Sequence, residues 1–165
     1  VAATNPCPCG YYGDEHQACR CTPTKVANYL QRLSGPLLDR IDLQVAVTRP
    51  SPEVLLKPQQ GLNTQTAKRW VAQAQAIQLA RNGLLNGHLP WAELEACTKL
   101  KPTDESLLKN AISRLHLSPR GIHKVLRVAR SIADLENAKN IQKSHLLEAL
   151  SYRRLDALSM EIEHN

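Results

Sequence analysis

The chain has 165 residues, 42% of them hydrophobic, with ten prolines and no phenylalanine. That length builds one domain or two small ones, and the lack of any run of about 18 apolar residues argues against a membrane span. The formal net charge of +6 favours polyanionic partners such as nucleic acid or nucleotide phosphates, without naming one.

The opening stretch VAATNPCPCG has neither a basic n-region nor a long apolar h-region, so it does not read as a signal peptide. It reads like the end of a buried strand entered halfway, as in a piece of a longer protein. Val1–Thr4 is predicted as that strand end, closed by Asn5 and Pro6, because proline cannot continue a ladder. Residues 7–21 form a Pro/Gly/Cys loop holding Cys7, Cys9, Cys19 and Cys21, spaced C-x-C, nine residues, C-x-C; Cys97 stands alone. Four thiolates can close a tetrahedral zinc site of the structural kind, with no position left for a substrate. His16, inside the loop, can replace one thiolate. The alternatives are four reduced cysteines or a redox pair.

A helix follows, with Thr22 as its cap, Pro23 in its first turn, and Val26, Tyr29, Leu30 and Leu33 on one face. Ser34, Gly35 and Pro36 stop it, and Leu37–Arg40 makes a turn. Ile41–Val47 alternates apolar and polar residues and is predicted as a second strand. Residues 51–63 lie in a proline-rich stretch and are expected to be a linker between two subdomains. Beyond it the pattern is helical throughout. Ala67, Trp70, Val71, Ala74, Ile77 and Leu79 or Ala80 mark a first buried face, ending near Asn82 and Gly83. A short helix spans Pro90–Cys97 with Leu94 inside, and another starts at Thr103 with Leu107, Leu108, Ala111, Ile112 and Leu115 inward. Ser118 caps the next and Pro119 opens it, with the stripe Ile122, Val125, Leu126, Ala129, Ile132 and Ala133. A last helix is expected from about Ser144 to Arg154. The predicted organisation is a remnant of an α/β unit over residues 1–50, the linker, an all-helical bundle over residues 64–156 and a tail over residues 157–165. Two strands alone cannot bury both faces of a sheet.

Two arginines draw a functional reading. Arg120 sits in the first turn of its helix, where the dipole disfavours a cation by some tenths of a kcal/mol. A bound anion reverses that sign. Lys124, Arg127 and Arg130 lie further along, and Lys124 and Arg127 read as a solvated basic face. Arg40 stands between Asp39 and Asp42. It is either a local ion pair, worth about 0–1 kcal/mol if exposed, or an arginine presented at a subunit edge to a transferring phosphoryl group. No G-x-x-x-x-G-K-[ST] phosphate loop occurs in the chain, nor an acidic magnesium-binding motif after an apolar strand. The chain by itself is therefore not read as an ATPase.

The segments NPCPCGYYGD, CRCTP, LSGPLLDRIDLQV, LSPRGIHKVLRVARSIADLE and HLLEALSYRRLD together resemble the C-terminal part of the ComM/YifB-type magnesium-chelatase-like AAA+ ATPases, from Asn5 to Asp156. The resemblance implies a fold: the C-terminal strands and helix of a parallel AAA+ sheet, then an all-α lid. It implies that Asn5 is the sensor 1 residue orienting the attacking water. It implies that Arg40 is the arginine finger reaching the neighbouring subunit's nucleotide, and that Arg120 is sensor 2, touching the γ-phosphate of its own subunit. It further implies ATP and Mg²⁺ as cofactors of a whole protein that carries the phosphate loop. The neighbours would be copies in a homo-hexameric ring, with DNA as client, in the bacterial cytoplasm and without a membrane. Relatives of the ComM type are linked to DNA branch migration during transformation. Those that insert magnesium into a porphyrin generally lack the paired C-x-C, so CPCG…CRC favours the ComM-like branch.

Overall fold

The computed structural model describes residues 1–32, 35–51, 54, 56 and 61–153. The chain falls into two compact units that divide between Gln59 and Gln60. Most of the expected linker, the end of the last predicted helix at Arg154 and the tail lie outside the described residues.

The first unit contains the short helices α1 (Pro23–Leu30) and α2 (Gly35–Leu38). Thr22 caps α1 by accepting from the Lys25 N–H at 3.3 Å, and Pro23 fills the first helical position, where its missing N–H costs nothing. Val26 is the buried residue of α1. None of the described residues is in a β-strand, which overturns the expected AAA+ sheet remnant. Val1–Thr4 and Ile41–Val47 have no regular structure. The alternation in Ile41–Val47 is present, but its polarity runs the other way from a core strand. Leu43, Val45 and Val47 are 51%, 64% and 90% exposed, while Gln44 is buried. A strand exists only as a pairing, and alternation records a preference for a half-buried pleated surface rather than a partner.

The second unit is helical: α3 (Thr64–Asn82), a 3₁₀ turn (Asn86–His88), α4 (Trp91–Cys97), α5 (Pro102–Leu115), α6 (Pro119–Leu135) and α7 (Lys143–Ser151). Asn63 caps α3 through the Thr66 N–H at 2.8 Å, and Gly83 ends it at φ +70°, where a side chain would be strained. Ser118 caps α6 by accepting from the Gly121 N–H at 3.0 Å. α6 is the centre of the unit, with α3, α4, α7 and the 3₁₀ turn packed on it. Its residues Val125, Leu126, Ala129, Ile132 and Ala133 join Leu108, Leu117, Ile141, Leu146 and Ala149 in one core. Ile122 is only partly buried. Leu146 is fully buried there. Leu146→Ala is expected to destabilise the protein by about 2–5 kcal/mol in urea unfolding, because it removes apolar contacts and leaves a cavity.

The inward face expected for α3 is also corrected. Ala74 is buried as expected, but Trp70, Val71 and Leu79 are about half exposed, and Gln78, not expected inward, is buried. Gln78 faces inward because its Oε1 accepts from the Asn86 N–H at 2.9 Å, so burial leaves no polar atom of that pair unsatisfied.

Candidate metal centre and the arginine positions

The loop of residues 7–21 brings its four cysteines to one point. The sulfurs of Cys7, Cys9, Cys19 and Cys21 all lie within 4.8 Å of one another. Cys7 to Cys9 is 3.4 Å, Cys9 to Cys19 3.5 Å and Cys7 to Cys19 3.7 Å. A disulfide needs about 2.05 Å, so these are separate thiols. A tetrahedron of sulfurs about 2.3 Å from a zinc ion has edges of about 3.8 Å, close to those distances.

Local sequence explains the convergence. The Gly10 N–H donates to the Cys7 carbonyl at 3.0 Å, closing a turn that folds Cys7 and Cys9 to the same side. Gly10 holds φ +84°, which suits glycine. At the other end the Cys21 N–H donates to the Cys19 sulfur at 3.4 Å. Between them, Asp14 accepts from the His16 and Gln17 N–H groups at 2.7 and 2.9 Å and pins the loop's middle. Those bonds, the His16 N–H first, hold the Asp14 carboxyl below its ordinary range. His16 itself is exposed and is not among the clustered ligands.

The thiols do not ionise alike. The Tyr11 and Arg20 N–H groups face the Cys9 sulfur and bring it down to about 6. The Cys21 N–H favours the Cys19 thiolate, but burial and the neighbouring Cys9 and Cys7 sulfurs outweigh it and push Cys19 up to about 12. Burial also raises Cys21. One negative charge forms readily and then opposes the next, because like charges share a small space. A divalent cation among them removes that opposition, so the donor set fits zinc.

Asn5 lies exposed two residues before Cys7. Arg40 is exposed just past α2, its N–H donating to the Leu37 carbonyl at 2.9 Å. Arg120 is exposed in the first turn of α6 in the second unit. A cavity of about 620 Å³, lined by Trp91, Glu95, Lys99, Leu100, Glu105 and Leu126 among others, contains none of these residues.

Lys124 and Arg127, expected as a solvated basic face on α6, are both only partly exposed. Arg130 is 1% exposed and Asp134 0%. Asp134 receives Arg81 at 2.6 and 2.9 Å, Asn86 at 2.8 Å and the Arg130 Nε at 3.1 Å. Arg130 also donates to the carbonyls of Ala138 at 2.6 Å and Lys139 at 3.1 Å. Arg127 is half-buried and donates to the Leu89 carbonyl at 3.1 Å. The available signal was the spacing. Arg130 and Asp134 are an i,i+4 pair beside the apolar stripe, where solvated charges do not belong.

Two family models match the chain in order. The one described as magnesium chelatase, subunit ChlI, covers residues 1–55, and the one described as magnesium chelatase, subunit ChlI C-terminal, covers residues 61–153. The chain belongs to the magnesium chelatase subunit ChlI family. Asn5 and Arg40 fall within the first match and Arg120 within the second. Within this family the chain is 40% identical to the uncharacterized protein YifB of Escherichia coli K12 and 39% identical to YifB of Salmonella typhimurium. It is 37% identical to the competence protein ComM of Haemophilus influenzae. Each match covers 99% of this chain, which makes it a ComM/YifB-type AAA+ family member. The chain spans 32% of the length of each of those three relatives. No helix among the described residues is long and apolar enough to cross a membrane.

Proposed function

We propose that this chain carries the nucleotide-sensing residues and the helical lid of a hexameric AAA+ motor that works on DNA, as a ComM-like helicase promoting branch migration. The observation that carries the reading is the ordered match of both magnesium chelatase models, with Asn5, Arg40 and Arg120 inside them. Asn5 orients the attacking water, Arg40 reaches the nucleotide of the adjacent subunit, and Arg120 touches the γ-phosphate in its own subunit. Phosphoryl transfer is mostly positioning and charge stabilisation, and guanidinium groups suit it because they stay charged and present a planar fork of donors. The exposure of Arg40 and Arg120 supports this role, since a group that serves a nucleotide has to reach it. Arg120 stands in the first turn of α6, at a helix N-terminus, where a bound anion is favoured.

ATP and Mg²⁺ belong to the whole protein in this account, because the chain has no phosphate loop. DNA as the client rests on the positive charge and on the ComM-like branch. The description of the family as magnesium chelatase favours a second reading, a motor of the same build with a metal-insertion or protein client. Branched DNA separates the two: it stimulates ATP turnover of the whole protein in the first reading and leaves it unchanged in the second.

The four thiolates of Cys7, Cys9, Cys19 and Cys21 hold a structural zinc ion in this reading. Protein purified under reducing conditions is expected to contain one zinc per chain by elemental analysis, and Cys7→Ser with Cys19→Ser to contain none. Metal-free wild-type protein would remove the zinc reading and leave the arginine assignments standing.

A further inference from the structure

We propose that the four-thiolate centre is a clasp that holds Asn5 in register with α1, so that metal occupancy governs the water-orienting end of the nucleotide site. The proposal rests on the zinc and Asn5 assignments above.

The four cysteines sit at the two ends of the loop rather than along it. Cys7 follows Asn5 by two residues, and Cys21 immediately precedes Thr22, the cap of α1. The short contacts run across these ends, Cys7 to Cys19 at 3.7 Å and Cys9 to Cys19 at 3.5 Å. A bound ion therefore joins the Asn5 segment to the helix start and leaves the intervening residues as a closed loop. Asn5 lies near the turn made by Cys7–Gly10: a Cβ placed on Gly10 would be 4.0 Å from the Asn5 Cγ. A second tie joins the same two segments: the Thr4 hydroxyl and the Tyr29 hydroxyl are 3.3 Å apart.

Cys7, one of the four thiols, is with Val26 and Leu38 among the buried hydrophobic residues described before residue 52. A metal bound there adds folding energy to the segments it joins. Cys7 is fully buried while Asn5 beside it is exposed, so the metal ligand anchors the backbone from which the polar side chain projects. Asn5 is thus the functional group, and the cysteines are positioning residues.

The test uses the whole protein, as purified and after zinc is stripped by a chelator under reducing conditions. Hydrogen exchange is followed at residues 5–12, 22–30 and 119–135, with nucleotide affinity and ATP turnover measured alongside. Opening a cross-linked loop of about 15 residues is expected to speed exchange about 100-fold at residues 5–12 and 22–30. Residues 119–135 stay protected, nucleotide affinity holds within about threefold, and turnover falls to the level of Asn5→Ala. Added zinc restores the stripped wild type and does not restore Asn5→Ala. Faster exchange confined to residues 10–18, or none at all, overturns the clasp. Absence of zinc overturns it together with the metal reading. Full turnover by Asn5→Ala overturns it together with the Asn5 reading.

Discussion

Arg40→Ala, placed in the whole protein, is expected to lower ATP turnover by about 10³–10⁵ while nucleotide affinity changes by no more than a few-fold. The split follows from where the group acts. An arginine that meets the γ-phosphate only as charge spreads in the transition state contributes to turnover and little to ground-state binding. Arg40 lies two residues beyond the short helix α2, with its N–H donating to the Leu37 carbonyl, and it is exposed. Arg40→Lys should recover little of the lost rate. An ammonium keeps the charge but loses the planar fork and the reach. A coupled turnover assay beside a nucleotide titration reads both quantities. Turnover at the wild-type level would return Arg40 to the role of a surface charge near Asp39 and Asp42.

Asp134→Ala is expected to have the largest effect on stability, about 3–5 kcal/mol in urea unfolding. It removes the acid that Arg130 pairs with among the described residues and leaves the Arg130 side chain, 2% exposed, without that counter-charge. The Arg81 side chain is 25% exposed and can recover some hydration, which places the loss toward the lower end of that range. The same aspartate gives a pH dependence with a definite sign. Burial acts to raise its pKa, but the bonds from Arg81 and Asn86 and the charges of Arg130 and Arg81 outweigh burial and hold it below its ordinary value. A depressed folded value means stability that is complete above the unfolded value of about 3.9 and is lost as pH falls through the folded one. Wild-type unfolding should therefore weaken with acid in that range, and Asp134→Ala should weaken less steeply. A variant within about 0.5 kcal/mol of wild type at neutral pH would show that the network is not a keystone of the helical unit.

The helices were legible because their signals are local. Thr22 with Pro23, and Ser118 with Pro119, mark helix starts by chemistry confined to one turn, and the caps form as expected. The stripe from Val125 to Ala133 repeats with the helical period and faces the core. The expected strands are not formed by the described residues. Ile41–Val47 has the right alternation, but pairing depends on a second segment that the alternation does not specify. α3 was misread for a related reason. Trp70, Val71 and Leu79 outweigh Gln78 in hydrophobicity, yet Gln78 is buried beside the expected Ala74 because it can bond to Asn86. The cysteine cluster was legible as chemistry but not as geometry. Spacing suggested four ligands, and only the Gly10 turn and the Asp14 loop bonds explain how they converge without His16.

The central claim is that Arg40 completes a site on another subunit, whereas Arg120 serves its own. Subunits carrying Arg40→Ala and subunits carrying Arg120→Ala should each form rings with almost no turnover. Mixed in equal amounts and allowed to exchange, they create interfaces where a subunit with intact Arg120 faces a neighbour with intact Arg40. For random assembly in a ring with heterologous interfaces, turnover should return to about a quarter of wild type. A mixture that remains as inactive as its two components, with subunit exchange demonstrated, would contradict the account.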